Sequence, residues 1–373
     1  MRILAVDMGT GTQDILLFDS SGPIENSVKL VMPSATTIAA GRIRRATEAG
    51  QAVLLTGVIQ GGGPCHWALE DHLRAGVAAY ATPQAARTFD DDLERVRAMG
   101  VRIVSDDEAA ALDGTAHIEL RDLDLDAIRS ALAAFDLPGD FDGLALGCLD
   151  HGNSPPDYSD RLFRFDHLRR VVEGENDLLA FAYLPEELPE YLTRARTMLA
   201  GAADANGGAP VVFLDTGPAA ALGALQDPQV AATEEQLVLN LGNMHALAFH
   251  LRGTHIYSLY EHHTGEMTTE QIEDFTERLV AGTLAQQEVF DSKGHGVFYA
   301  DQASSGGQPF LAVTGPQRGR LRGSRLRPYF ATPHGDMMIS GCFGLVLAFA
   351  ARYPQHREEI ERALAVEPAT APS

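Results

Sequence analysis

Residues 3–19 read Ile-Leu-Ala-Val-Asp-Met-Gly-Thr-Gly-Thr-Gln-Asp-Ile-Leu-Leu-Phe-Asp. Four apolar residues run into Asp7, the turn residues Gly9, Thr10, Gly11 and Thr12 follow, and a second apolar run, residues 15–18, closes on Asp19. Two short apolar runs around a glycine-containing turn predict a β-hairpin. Its tip carries a carboxylate, two glycines and two hydroxyls. Glycine lets the backbone come close to a ligand and lets successive N–H groups point into an anion-holding hollow. The threonine hydroxyls add donors, and Asp7 suits a hydrated Mg²⁺ beside phosphate oxygens. An ordinary tight hairpin draws on the same turn residues, so the rest of the chain has to separate the two.

Outward from the hairpin the pattern is strand–helix alternation. A third strand is predicted over residues 27–32 and a helix over 36–49, stopped by Gly50. Residues 52–58 form an apolar, β-branched run that feeds Gln60-Gly61-Gly62-Gly63-Pro64, and residues 66–75 read as the following helix. A further helix over 125–135 precedes a buried strand over 142–148. In the second half the opening pattern recurs. Residues 210–214 run into Asp215 and Thr216-Gly217-Pro218, then a helix over 219–225. Residues 236–241 end at Gly242-Asn243-Met244, and residues 246–251 return from that turn. A strand–turn–strand unit in each half predicts an α/β protein of two related lobes. The expected division is residues 1–205 and 206–365, with the Pro/Ala-rich residues 366–373 as a disordered tail.

Composition narrows the function. At 373 residues the chain is long for one core and sufficient for two. A formal net charge of −22 argues against a nucleic-acid backbone or an anionic membrane surface as partner. No run of about 20 apolar residues is available to span a bilayer. Lys29 and Lys293 are the only lysines, and no Gly-Lys-Ser/Thr occurs, which argues against a P-loop or a Schiff base. Cys65, Cys148 and Cys342 are widely separated, so no disulfide framework or close-spaced iron–sulfur motif is available. The chain enters a strand at once, without a basic, then apolar, leader, and a cytoplasmic location is expected.

In the order of its motifs the chain resembles the actin, sugar-kinase and heat-shock chaperone ATPase superfamily, and within it the glycerol- and xylulose-type carbohydrate kinases. That superfamily closes two RNase H-like lobes on a nucleotide in a central cleft. Asp7 to Gln13 resembles its first phosphate loop, and Asn240-Leu241-Gly242-Asn243-Met244 its second. Residues 144–152, ending in Asp150-His151-Gly152, resemble the strand that reaches the sugar. Asp215 stands where those kinases carry a catalytic base. Val313-Thr314-Gly315-Pro316, with residues 341–348, resembles the adenosine-contacting region. Asn243 replaces a usual hydroxyl or glycine, and Pro316 a second glycine. A narrower resemblance is to a prokaryotic family with Gly-Gly-Gly-Pro after a strand and a later Asp-His-Gly, often labelled pyruvate formate-lyase activating enzymes. Radical generation of that type needs three clustered cysteines, which this sequence does not place together.

The resemblance implies ATP and Mg²⁺ as cofactors and phosphoryl transfer to a small hydroxylated or carboxylated metabolite. Asp7 would hold the metal through water, and Asp215 would be the general base. Gly9, Thr10, Gly11, Thr12, Gln13, Gly242, Asn243, Met244, Gly315, Gly341 and Gly344 would bind the nucleotide. Asp150, His151, Gly62 and Gly63 would meet the substrate. Structural duty competes at several of these: Asp215 also suits a helix N-cap, and His151 a satisfied strand-end histidine. An ATPase that activates a partner enzyme and a non-catalytic metabolite-binding protein remain as alternatives, and a homodimer is left open. His262, His263 and His295, with Glu261 and Asp291, offer a metal-ligating set, but no ligand spacing supports it and surface loop is the favoured reading. Arg161, Arg164, Arg169 and Arg170 read equally as an anion clamp or a solvated helix face.

Overall fold

Every residue from Ile3 to Met8 is buried, as a strand covered on both faces requires. In the computed structural model, which describes residues 1–301 and 308–365, this strand is β1 (Arg2–Met8) and lies inside a sheet. It pairs antiparallel with β2 (Thr12–Asp19), which pairs with β3 (Val28–Pro33). The chain then leaves to build a separate parallel sheet from β4 (Val53–Gly57), β5 (Ala79–Ala81), β6 (Arg102–Ile103) and β7 (Ala116–Leu120), in the order β6-β5-β4-β7. It returns as β8 (Gly143–Cys148), parallel to β1. β9 (Ala182–Tyr183) and β10 (Val211–Asp215) complete the first sheet, whose order is β3-β2-β1-β8-β10-β9.

The second sheet repeats this plan. β11 (Gln236–Leu241), β12 (His245–Arg252) and β13 (His255–His263) form an antiparallel meander, extended by β14 (Gly296–Tyr299). β15 (Phe310–Thr314) runs parallel to β11 and β16 (Tyr329–Phe330) parallel to β15, giving β14-β13-β12-β11-β15-β16. A three-strand meander whose first strand then takes parallel neighbours is the order expected of an RNase H-like lobe, and it occurs twice. The α/β class with two such lobes stands.

The division between lobes differs from the expected one. β10 pairs in parallel with β8, from Val211↔Leu144 to Asp215↔Cys148, so the first sheet reaches Asp215 rather than stopping before residue 206. Nor is the first lobe a single unit. The β4–β7 sheet has its own core, with Ile43, Leu55, Leu69 and Val96 at its centre. Residues 366–373 lie outside the described residues. No helix among the described residues is long and apolar enough to cross a membrane.

Two helices cross between the lobes, Thr216–Ala224 after β10 and Ser340–Arg352 near the end. Both carry small residues where they meet. A Cβ on Gly223 would overlap the Ser340 carbonyl, and one on Gly344 would overlap the Ala219 carbonyl. Ala219, Leu222, Phe343 and Leu345 join the largest core, which takes in strands of both sheets.

Candidate functional site

The β1–β2 and β11–β12 turns are built alike. Gly9 N–H donates to the Thr12 carbonyl at 2.9 Å, and Gly242 N–H donates to the His245 carbonyl at 2.9 Å. The two turns face one another so closely that a Cβ on Gly11 would overlap the Asn243 side-chain amide. Between them lies a cavity of about 80 Å³. Asp7, Gly9, Thr12, Gly242, Asn243, Gly315 and Gly341 all line it, although they come from four separate segments. This volume is far below the roughly 300–1,000 Å³ of typical ligand pockets.

A residue not singled out in the sequence completes this cavity. Asp14 pairs with Asp7 in register across the hairpin, and both carboxyls line the same hollow. Oδ1 of each is buried without a hydrogen-bond partner among the described residues. Burial pushes the Asp7 carboxyl up to about 6, against a hydrogen bond from Thr216 that lowers it. Burial and then the neighbouring Asp7 push Asp14 up to about 7. Two carboxyls with free oxygens, beside the Thr12 and Thr216 hydroxyls, are the hard donor set that suits hydrated Mg²⁺. The residues present therefore fit the cation that the resemblance implies. Gly341 stands so near that a Cβ there would overlap Asp7 Oδ2.

A larger cavity of about 380 Å³ opens beside the first. Thr10, Gly62, Gly63, Met244, His151 and Arg194 are on its wall. Arg194 grips Asp122 with two bonds of 2.7 and 2.9 Å and donates to the Leu149 carbonyl at 2.7 Å. A further hollow of about 520 Å³ shares Gly61, His151 and Arg194 with it and is bordered by Asp90, Asp91 and Asp150. Burial pushes the Asp91 carboxyl up to about 6. Asp150 accepts from the Gly152 amide at 2.8 Å and the Ala195 amide at 2.9 Å. Each of its oxygens thus serves the backbone, one of them an otherwise unpaired N–H in the first turn of the helix Thr193–Ala205.

Behind these cavities sits Arg164, fully buried on the helix Asp160–Gly174. It pairs with both oxygens of Asp215 and reaches Glu261 at 3.3 Å. Asp215 Oδ1 also accepts from the Gly217 amide at 3.0 Å, which caps the following helix. Burial pushes Glu261 up to about 7 despite Arg164 beside it. Next to this triad four imidazoles converge: His151, His245, His263 and His295 offer ring nitrogens that all lie within 4.8 Å of one another. Burial, followed by nearby positive or imidazole groups, pushes His151 down to about 3 and lowers the other three.

The family described as "Putative pyruvate format-lyase activating enzyme (DUF1786)" matches residues 60–320, well over half of the chain. The chain belongs to this family. The matched stretch holds the Gly61–Gly63 loop, Arg164, Asp215 and all four converging histidines, and it begins after Asp7 and Asp14. No curated protein matches the chain in sequence. Similar solved structures include a ROK hexokinase from Thermus thermophilus, at 14% identity and a TM-score of 0.24, covering 69% of this chain and 48% of that one. The chain thus spans about half the length of that hexokinase. A Listeria monocytogenes protein described as "a putative N-acetylmannosamine kinase" has 9% identity and a TM-score of 0.34, over 94% and 99% of the two chains. A Ppx/GppA family member from Aquifex aeolicus has 10% identity and a TM-score of 0.27, over 98% and 87%. The fold class rests on the strand order of the two sheets, not on these low-scoring overlays.

Several expected roles change within the family member described here. Asp215 is not the open carboxylate a general base needs, because Arg164 and the Gly217 amide occupy it. Gln13 points its amide at the Pro33 carbonyl, 2.9 Å away, and lines neither cavity. Gly344 belongs to the helix crossing rather than to a ligand wall. Arg164 is neither a solvated residue nor an anion clamp, and Arg161 donates to the Phe290 and Gly294 carbonyls at 3.0 and 2.6 Å. His263 and His295 are not surface-loop residues; they turn inward to meet His151 and His245. His262 stays outside that group and contacts Ser292 at 3.2 Å. The three cysteines fall into three different cores.

Proposed function

We propose that this protein is an ATP- and Mg²⁺-dependent phosphotransferase whose phosphates lie between the Gly9–Thr12 and Gly242–His245 turns. The observation that carries this reading is the pair of like-built turns enclosing two carboxyls with unpaired oxygens. Asp7 and Asp14 would hold the hydrated cation, which would neutralise charge on the phosphate oxygens. The turn amides and Thr12 would orient those oxygens, and the Thr216 hydrogen bond would favour the ionised form of Asp7 against its burial. The 380 Å³ cavity would receive a small hydroxylated or carboxylated acceptor, with His151 and the Gly62–Gly63 backbone on its wall. Admitting a nucleotide to the 80 Å³ space requires the lobes to part. The cysteine placement gives no support to radical generation on an iron–sulfur cluster.

One observation favours a second reading, an ATPase that acts on a partner enzyme: Asp215 is committed to Arg164, so the expected acceptor base is missing. Calorimetry with Mg·ATP, followed by ADP release across a panel of small acceptors, tests both. Binding weakened at least about 10-fold in Asp7→Asn is expected. Acceptor-dependent turnover supports the kinase, and slow acceptor-independent turnover the ATPase. Absence of Mg·ATP binding overturns both.

A further inference from the structure

The four converging imidazoles are not explained by phosphate handling. His151 follows β8 on the first lobe, whereas His245 opens β12, His263 ends β13 and His295 precedes β14 on the second. We propose that His151, His245, His263 and His295 bind one transition-metal dication of the zinc class, and that this ion latches the two lobes together beside the acceptor cavity.

Geometry is the first support. A tetrahedral zinc ion with Zn–N bonds of about 2.0–2.1 Å separates its nitrogens by about 3.3–3.4 Å. Nε2 of His151 and Nε2 of His295 are 3.3 Å apart, one such edge already formed. The remaining separations are at most 4.8 Å, so binding would draw those rings toward the ion. The second support is hydrogen bonding. His263 Nδ1 donates to the Lys293 carbonyl at 2.9 Å, which leaves Nε2 as the unprotonated nitrogen, the usual way a backbone carbonyl fixes a metal-binding tautomer. His245 Nε2 is buried with no hydrogen-bond partner among the described residues. Leaving such a nitrogen unpaired is costly, and a metal ion would take up its lone pair.

Charge and donor chemistry choose the ion. Four neutral nitrogens suit Zn²⁺, Co²⁺, Ni²⁺ or Fe²⁺ and not Mg²⁺, which takes oxygen. The two guanidinium groups that act on the quartet, Arg164 and Arg194, are each tied to carboxyls, Asp215 and Glu261 for the first and Asp122 for the second. Among the described residues this is the one group of three or more histidine, cysteine or acidic side chains near enough to share an ion. Because His151 alone comes from the first lobe, full coordination demands that the lobes be closed.

The test uses the full chain, stripped with a chelator and titrated with Zn²⁺, Co²⁺ or Mg²⁺ in the absence of nucleotide. The proposal expects one Zn²⁺ per chain, intense visible absorption from tetrahedral Co²⁺ and no competition by Mg²⁺. Affinity should fall at least about 100-fold in His245→Asn and His263→Asn, since loss of even an outer partner costs about 10–100-fold. His66→Asn removes an imidazole on the same cavity wall but outside the quartet, and should bind as the parent does. His263 is part-exposed, so its variant reports on the site if a more buried one unfolds. No Zn²⁺ uptake, or uptake equal in His263→Asn and the parent, overturns the proposal. Neither result bears on ATP binding, which is measured separately.

Discussion

At the scale of single residues, Asp7 and Asp14 are two buried carboxyls facing one small cavity. Their carboxyls, pushed up to about 6 and 7 chiefly by burial, hold protons that the unfolded chain has released above its ordinary value near 3.8. The folded state therefore binds the extra protons between about pH 4 and pH 7, and the pair's contribution to stability falls as pH rises through that window. In metal-free protein, Asp14→Asn should raise the thermal midpoint at about pH 8 and raise it much less at about pH 4.5. Melting curves at the two pH values check this, and a midpoint lowered at pH 8 would contradict it. Asp14 was legible in principle: it mirrors Asp7 across a glycine turn, and strand register puts the two side by side. Asp215 was not, because its partner Arg164 lies 51 residues away in sequence and only the tertiary fold brings the guanidinium to it.

At the scale of elements, the two turns were readable because each joins an apolar run to a Gly-polar tip, a local signal. The helix crossing was not. Gly344 looks like a ligand glycine in a motif, yet its missing side chain admits the Ala219 carbonyl of another helix. Replacing it with Val forces the helices apart. Such overpacking costs about 1–3 kcal/mol, and urea unfolding of Gly344→Val should show a loss of that size. A stability equal to the parent's would mean that the crossing yields easily. Similarly, the inward turn of His263 and His295 depends on the β12–β13–β14 pairing, and no His-x-x-x-His spacing announces it.

For the whole molecule, Arg164 is the pin. Its helix packs between the sheets, Asp215 ends a strand of the first sheet, and Glu261 lies within a strand of the second. Removing one member of a buried ionic group strands the others without compensation, at about 3–5 kcal/mol. Arg164→Met should therefore destabilise the protein by that amount, read from denaturant unfolding, and adding Glu261→Gln should recover part of it. The lobed plan could be read from recurrence along the chain. The position of the boundary could not, since β10 joins the first sheet through pairing partners more than 60 residues earlier. The inserted β4–β7 sheet has a further consequence. It departs after β3 and rejoins before β8 with a core of its own, so its packing does not rest on strands of the first sheet. Its glycine loop lines the larger cavity, while Asp7 and Asp14 lie on the first sheet. On the function proposed above, the acceptor wall and the carboxyls that would hold the cation therefore belong to units with separate cores.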